Sequence, residues 1–137
     1  MSDKIFLDTN ILIYSYSITE LEKKEIVLSI LESGSLIISV QVINEFIWVM
    51  NRKFNIALDI LHKIVNKLWE KFHVTGTERS TVNTALKLAA QYRYSYWDSL
   101  IVASALESGC NILYTEDMQH GQVIENTLTI QNPFTAK

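Results

Sequence analysis

A chain of 137 residues, 48% of them hydrophobic, is sized for one compact domain with a substantial core, so 1–137 is read as a single unit. One proline and four glycines exclude a loop-rich, disordered or all-β design, and nothing in the sequence reads as a linker, a low-complexity tract or an internal repeat. The formal charge of −3 excludes grip on nucleic acid by bulk electrostatics; such a substrate would be engaged by a local basic patch or through a bound cation.

The first apolar run, Ile5-Phe6-Leu7, is ended by Asp8-Thr9-Asn10 and reads as a buried strand running into a turn or helix cap. The carboxylate at Asp8 also breaks any cleavable signal, and Ser99 to Leu106 is too short to span a bilayer. A short helix is expected from Asn10 to Tyr16. A longer one starts at Thr19, where Glu22 suggests a capping box, and stops at Gly34. Leu36-Ile37-Ile38 predicts a second strand, with Ser39 as the N-cap of a helix to about Lys53. Apolar residues recur with helical period from Ile56 to Phe72. An extended piece at His73 to Thr75 precedes a helix from Glu78 to Tyr92, and another helix covers Tyr96 to Glu107, closed by Gly109. Ile112-Leu113-Tyr114 and Leu128-Thr129-Ile130 complete the strands, the last of them weak.

Short, continuously apolar strands separated by helices call for a mostly parallel sheet covered on both faces. Chemistry in such folds collects beyond the carboxyl ends of the strands, where Asp8 and Asp117 fall. Of five aspartates, Asp3 is terminal and Asp59 lies on the polar side of a helix. Asp98 stands in the first turn of its helix with Ile101, Val102 and Ala105 on the same face. Glu45 sits at the margin of an apolar stripe with Val42, Ile43, Phe46 and Val49. Each acid has a plain structural reading: Asp8 as a helix cap, Asp98 as a partner of the helix dipole, Glu45 as a solvated residue, Asp117 as a turn residue.

Together the four make a physical proposal. Two like charges about 4 Å apart repel by roughly 4 kcal/mol at an effective dielectric of 20, so a buried acidic cluster needs protons or a cation. Oxygen-only ligands suit Mg²⁺ or Mn²⁺ rather than zinc, and such sites serve phosphodiester cleavage. Asn10 and Thr115 stand where they could orient ligands or water. Other chemistry has little to stand on. There is no glycine-rich phosphate loop and no nucleophile elbow, and Cys110 is alone, which rules out a disulfide framework and a cysteine-based zinc site. Cys110 reads as packing, His62 and His73 as structural, and His120 as a weaker candidate to touch substrate. The aromatic group Tyr92, Tyr94, Tyr96 and Trp97 could stack bases or serve the core or a dimer contact. Arg52, Lys53, Lys87 and Arg93 are the candidates for phosphate contacts.

Four stretches of the chain resemble, in order, the PIN domain, and most of all the ribonuclease toxins of prokaryotic toxin–antitoxin pairs. They are Phe6 to Tyr14, Ser39 to Phe46, Tyr96 to Ala105 and Leu113 to Gly121. The resemblance spans nearly the whole chain, although Asn51 to Arg79 carries no signature. It implies a three-layer α/β/α fold whose short, mostly parallel sheet gathers Asp8, Glu45, Asp98 and Asp117 as the metal-binding and catalytic set. It also implies Mg²⁺ or Mn²⁺, endonucleolytic hydrolysis of single-stranded or structured RNA, a homodimer and a small cognate antitoxin, while the broken signal, the short apolar run and the single cysteine point to a cytoplasmic setting without a membrane. Glu116 stands as either a fifth ligand or a bystander. Two further readings compete. One is dehalogenase-like phosphotransfer, which needs a second acid where Asn10 stands. The other is the same fold as an inert RNA- or protein-binding module, or as a housekeeping RNA-processing nuclease.

Overall fold

Strands and helices alternate along the chain in the computed structural model, which describes residues 3–135. In order they are β1 (Lys4–Leu7), α1 (Thr9–Tyr14), α2 (Leu21–Leu31), β2 (Ser35–Ser39), α3 (Val40–Arg52) and α4 (Leu58–Lys71). Then come β3 (His73–Thr75), α5 (Arg79–Tyr92), α6 (Tyr96–Glu107), β4 (Ile112–Tyr114), β5 (Val123–Ile124) and β6 (Leu128–Gln131). The six strands form one sheet in the order β3-β2-β1-β4-β6-β5. Every pairing is parallel except that of β5 with β6. The result is the mostly parallel, helix-covered sheet expected from the pattern, in the three-layer α/β/α arrangement that the resemblance implied.

The central strands are apolar on both sides because helices cover both faces, which is why their runs lack the alternation of a half-exposed strand. Phe6, Leu7, Ile38, Leu113 and Ile130 are fully buried. The helix α6 is buried continuously from Ser99 to Ala105, so it lies within the core rather than on it, and Asp98 is the charge in its first turn. No helix of the described chain is long and apolar enough to cross a membrane.

Two expectations need correction. The capping box at Thr19 does not form: α2 begins only at Leu21, and Ser17 Oγ instead accepts from the amides of Thr19 and Glu20 at 3.2 and 2.9 Å. The local hydroxyl two and three residues upstream offered those amides a nearer acceptor. The strand called weak, β6, pairs with two neighbours and buries Leu128 and Ile130 completely, and a two-residue antiparallel partner, β5, precedes it. The boundaries of α6 and the N-cap at Ser39, whose Oγ accepts from the Val42 amide at 3.2 Å, fall where expected.

The turn between α2 and β2 depends on Gly34, which adopts φ +60°; a Cβ there would stand 2.6 Å from the Asp3 carbonyl oxygen. Gly34→Ala is therefore expected to destabilise the fold by about 1–3 kcal/mol in chemical denaturation. A change below about 0.5 kcal/mol would mean the turn tolerates a side chain after all.

Candidate active site

The strand order reverses between β1 and β4: from β1 the chain first builds outward through β2 and β3, then crosses to β4 on the other side. Such a switch point opens a crevice at the carboxyl ends of the two strands. Asp8 is the residue directly after β1, and Thr115, Glu116 and Asp117 directly follow β4. Glu45 is carried in by α3, which starts where β2 ends. The helix α6 leads into the opposite end of β4, so its own N-terminus, with Asp98, returns to this same edge. Four separate elements thus deliver their acids to one place.

A string of hydrogen bonds ties three of them. Asp8 caps α1, its Oδ1 accepting from the Thr9 amide at 2.7 Å, while its Oδ2 accepts from the Thr115 hydroxyl at 2.8 Å. The Thr9 hydroxyl donates to Glu45 Oε1 at 2.6 Å. Thr115 Oγ1 also accepts from the Asp117 amide at 3.1 Å, and the Asn10 side chain donates to Asp117 Oδ2 at 2.8 Å. Asn10 Oδ1 accepts from the Glu116 amide at 3.2 Å, fixing the loop after β4 on α1. Asp98 is set apart from this string; the hydroxyl of Ser95, the N-cap of α6, accepts from its amide at 3.1 Å. Both readings of Asp8 therefore hold at once: it is a helix cap and a member of the cluster.

The electrostatics fit the geometry. Burial pushes the Asp8 carboxyl up from the ordinary 3.8 to about 7; hydrogen bonds from Thr115 and Thr9 oppose the rise, and the charges of Glu45 and Asp98 add to it. Partial burial likewise raises Asp98, against the hydrogen bonding of Ser95 and with help from Asp117 and Glu45. Among the described residues the one ion pair lies elsewhere, between Lys23 and Glu116, so no side-chain cation compensates the four acids. Nor does any group of three or more His, Cys, Asp or Glu side chains among the described residues stand ready-made to hold a metal ion. Repulsion and the hydroxyl, amide and backbone donors explain that openness, since Asp8, Glu45 and Asp117 are each turned toward a partner of their own. What fits a hard divalent cation is the donor chemistry, all carboxylate oxygen, and the charge left uncompensated.

Glu116 faces away from the cluster. Its Oε1 accepts from the Tyr14 hydroxyl at 2.7 Å and its Oε2 from Lys23 Nζ at 2.5 Å. Partial burial raises its carboxyl, but the hydrogen bonds from Lys23 and Tyr14 outweigh that and the net shift is downward. Lys23 Nζ also sits 4.7 Å from the centroid of the Tyr14 ring and 5.1 Å from that of Phe134, so this group clamps α1, α2 and the C-terminal loop together. His120 accepts the Asn132 amide on Nδ1 at 2.9 Å and lines a different cavity, beside α2, with Glu22 and Glu25. Cys110 is buried, and burial raises its thiol to about 11 against the opposing charge of Lys4, which leaves it inert. Of the basic candidates, Arg52 lies over the Trp48 ring at 4.6 Å and Lys53 over Phe54 at 5.6 Å. The sequence reading overlooked Thr9 and Ser95; their positions beside Asp8 and just before the Asp98 helix were the available signal.

The chain matches the family model for the PIN domain over residues 5–125. No curated protein matches it in sequence. Among solved structures it is similar to a toxin–antitoxin complex from Klebsiella pneumoniae, with a TM-score of 0.72 at 19% identity, covering 97% of this chain and 100% of that one. It is also similar to VapC20 of Mycobacterium tuberculosis, described as a sarcin–ricin loop cleaving toxin, with a TM-score of 0.67 at 16% identity over 83% and 92% of the two chains. A third is VapBC2 from Rickettsia felis bound to a fragment of its promoter DNA, with a TM-score of 0.68 at 16% identity over 93% and 97%. At such identities the likeness establishes a shared fold.

The Asp8 shift carries a stability prediction. Between about pH 4 and pH 7 the native state keeps a proton that the unfolded chain has released, so the stability of the metal-free protein falls as pH rises through that window. Asp8→Asn, neutral throughout, is expected to flatten that slope and to leave the metal-free variant about 1–3 kcal/mol more stable than the parent at pH 7.5. Thermal melts in EDTA at pH 4.5 and 7.5 measure it; an identical slope in both proteins would remove Asp8 as its source.

Proposed function

Because the chain belongs to the PIN-domain family, we propose that it is a metal-dependent endoribonuclease, the toxin of a toxin–antitoxin pair. The observation that carries this reading is the convergence of Asp8, Glu45, Asp98 and Asp117 at the switch point, with no side-chain cation among the described residues to balance them. An inert binding module gains nothing from gathering repelling charges in a partly dry site. In this proposal Asp8, Asp98 and Asp117 hold Mg²⁺ or Mn²⁺, and Glu45 either joins them or takes the proton of the attacking water. A divalent ion so bound would supply a counter-charge for the acids and Lewis-acid polarisation of the scissile phosphate.

The protein's own groups do the rest. Thr115 holds one oxygen of Asp8 and the backbone of Asp117, so a single hydroxyl sets the spacing between β1 and the loop after β4. Thr9 donates to Glu45, leaving its other oxygen available for a water proton. Asn10 plays the corresponding part for Asp117. A small cognate antitoxin belongs to the same proposal, supported by the toxin–antitoxin complex that shares the fold, and a homodimer in the cytoplasm is proposed with it.

The test is incubation of the purified protein with a mixed RNA pool in Mg²⁺, in Mn²⁺ and in EDTA. Cleavage is expected in the two metals and not in EDTA, with Asp98→Asn slower by about a hundredfold or more. Cleavage that survives EDTA or that substitution would sink the assignment. Glu116→Gln is expected to keep cleavage within about threefold of the parent, since Glu116 is spent on Lys23 and Tyr14. A loss as deep as that of Asp98→Asn would place Glu116 among the ligands instead.

A further inference from the structure

A groove of about 500 Å³ opens beside the acids between the first turns of α3 and α6, and Glu45 belongs to its wall. Val40, Gln41 and Asn44 line it from α3, Trp97 and Leu100 from α6, and the turn at Gly76 closes one end. Trp97 is the residue directly before Asp98, yet it is 64% exposed. Its backbone is tied to α3 and its ring meets a neighbouring ring. The Gln41 side-chain amide donates to the Trp97 carbonyl at 3.3 Å, and Tyr96 braces the indole edge-on with centroids 5.6 Å apart. The exposed amide of Asn44 stands on the same wall, one helical turn from Gln41.

An aromatic face left in water and set next to the reacting groups is the arrangement by which proteins seat an unpaired base. The charge distribution favours the same occupant. The chain is net acidic, the acids themselves repel a phosphate backbone, and Arg52, Lys53 and Lys23 are engaged over aromatic rings or with Glu116. Lys87 and Arg93 remain exposed for phosphates, and uncharged contact adds to what they and any cation at the acids supply. We propose that this groove is a nucleobase subsite: Trp97 stacks an unpaired base next to the scissile phosphate, with Val40 and Leu100 beneath it and Asn44 reading its edge. The proposal rests on the nuclease reading for what happens at the phosphate, but the stacking itself is separately measurable. It also restricts the substrate to single strands or to bases turned out of a helix, because a paired base cannot enter the groove.

The experiment has a kinetic and a binding arm. With cleavable RNA, Trp97→Ala is expected to raise KM about 10- to 100-fold with kcat changed by less than about threefold, while Trp97→Phe restores most of the loss. Gly76→Leu should raise KM as well, by placing a side chain in the groove; a Cβ there meets nothing nearer than 3.9 Å, and an unchanged melting temperature is the control that the fold accepts the rest of the leucine. For binding, the Asp98→Asn protein in Mg²⁺ is titrated with a fluorescein-labelled oligouridylate and with an abasic ribose-phosphate chain of equal length. The oligouridylate should bind at least about tenfold tighter, and adding Trp97→Ala should erase that preference while leaving the salt dependence unchanged. Equal affinity for the two chains, or a preference indifferent to Trp97, overturns the subsite even if the protein is a nuclease. A Trp97-dependent preference in a protein that cleaves nothing upholds the subsite and rejects the nuclease. If Trp97→Ala alters the elution volume of the protein and not its RNA binding, the indole is a protein contact and the proposal falls.

Discussion

A carboxylate held in a nearly dry crevice at the end of the first strand is the constraint on which the rest of the site depends. Asp8 is 6% exposed, and water does little to stabilise its charge. The chain answers with two donated hydrogen bonds, from Thr9 and Thr115, and these come from the two strands' ends that flank the switch point. The parallel pairing of β1 with β4 therefore fixes the charge chemically as well as spatially: Leu7 stands level with Tyr114, so the residues that follow each are obliged to meet. Glu45 and Asp98 raise the cost of ionising Asp8 further, and the two hydrogen bonds offset only part of it. The site is in this sense half of an ionic structure, stable as a fold and incomplete as a charge distribution.

The division of labour among neighbouring acids follows from direction rather than from sequence position. Glu116 and Asp117 are adjacent in the chain, yet one pairs with Lys23 and Tyr14 while the other faces Asn10. The chain bends at 116–118 as it leaves β4, and the Glu116 amide is held by Asn10 Oδ1, so the two consecutive side chains are sent to different partners. The arrangement gives each acid one task, with Glu116 joining helices and loop and Asp117 completing the cluster.

Much of this was legible in the residues. The buried strands announced themselves as unbroken apolar runs, and α6 was closed by the glycine beyond its end, a signal that marks helix termini. The acids were visible because Asp8, Asp98 and Glu45 lie where an apolar stripe should have continued. What could not be read was the role of groups whose partners are distant in sequence: the Thr9 hydroxyl spent on Glu45, 36 residues away, or Lys23 on Glu116, 93 residues away. The misplaced start of α2 and the undervalued β6 share one cause. A capping signal and a three-residue strand are local patterns, and each was decided by competition or pairing that no local window contains.

The sheet also ends in an economical way. Its outermost strands are β3, three residues long, and β5, two residues long and running against its neighbour. So little unpaired backbone at either margin offers a poor template for a strand from another molecule, and it guards a protein with such apolar interior strands against growing into fibres. Any assembly this chain enters is consequently steered to its helices, where Trp48, Leu58, Trp69 and Leu86 stand in solvent. Recognition between molecules becomes a matter of side-chain shape, which evolution can alter one residue at a time without touching the sheet.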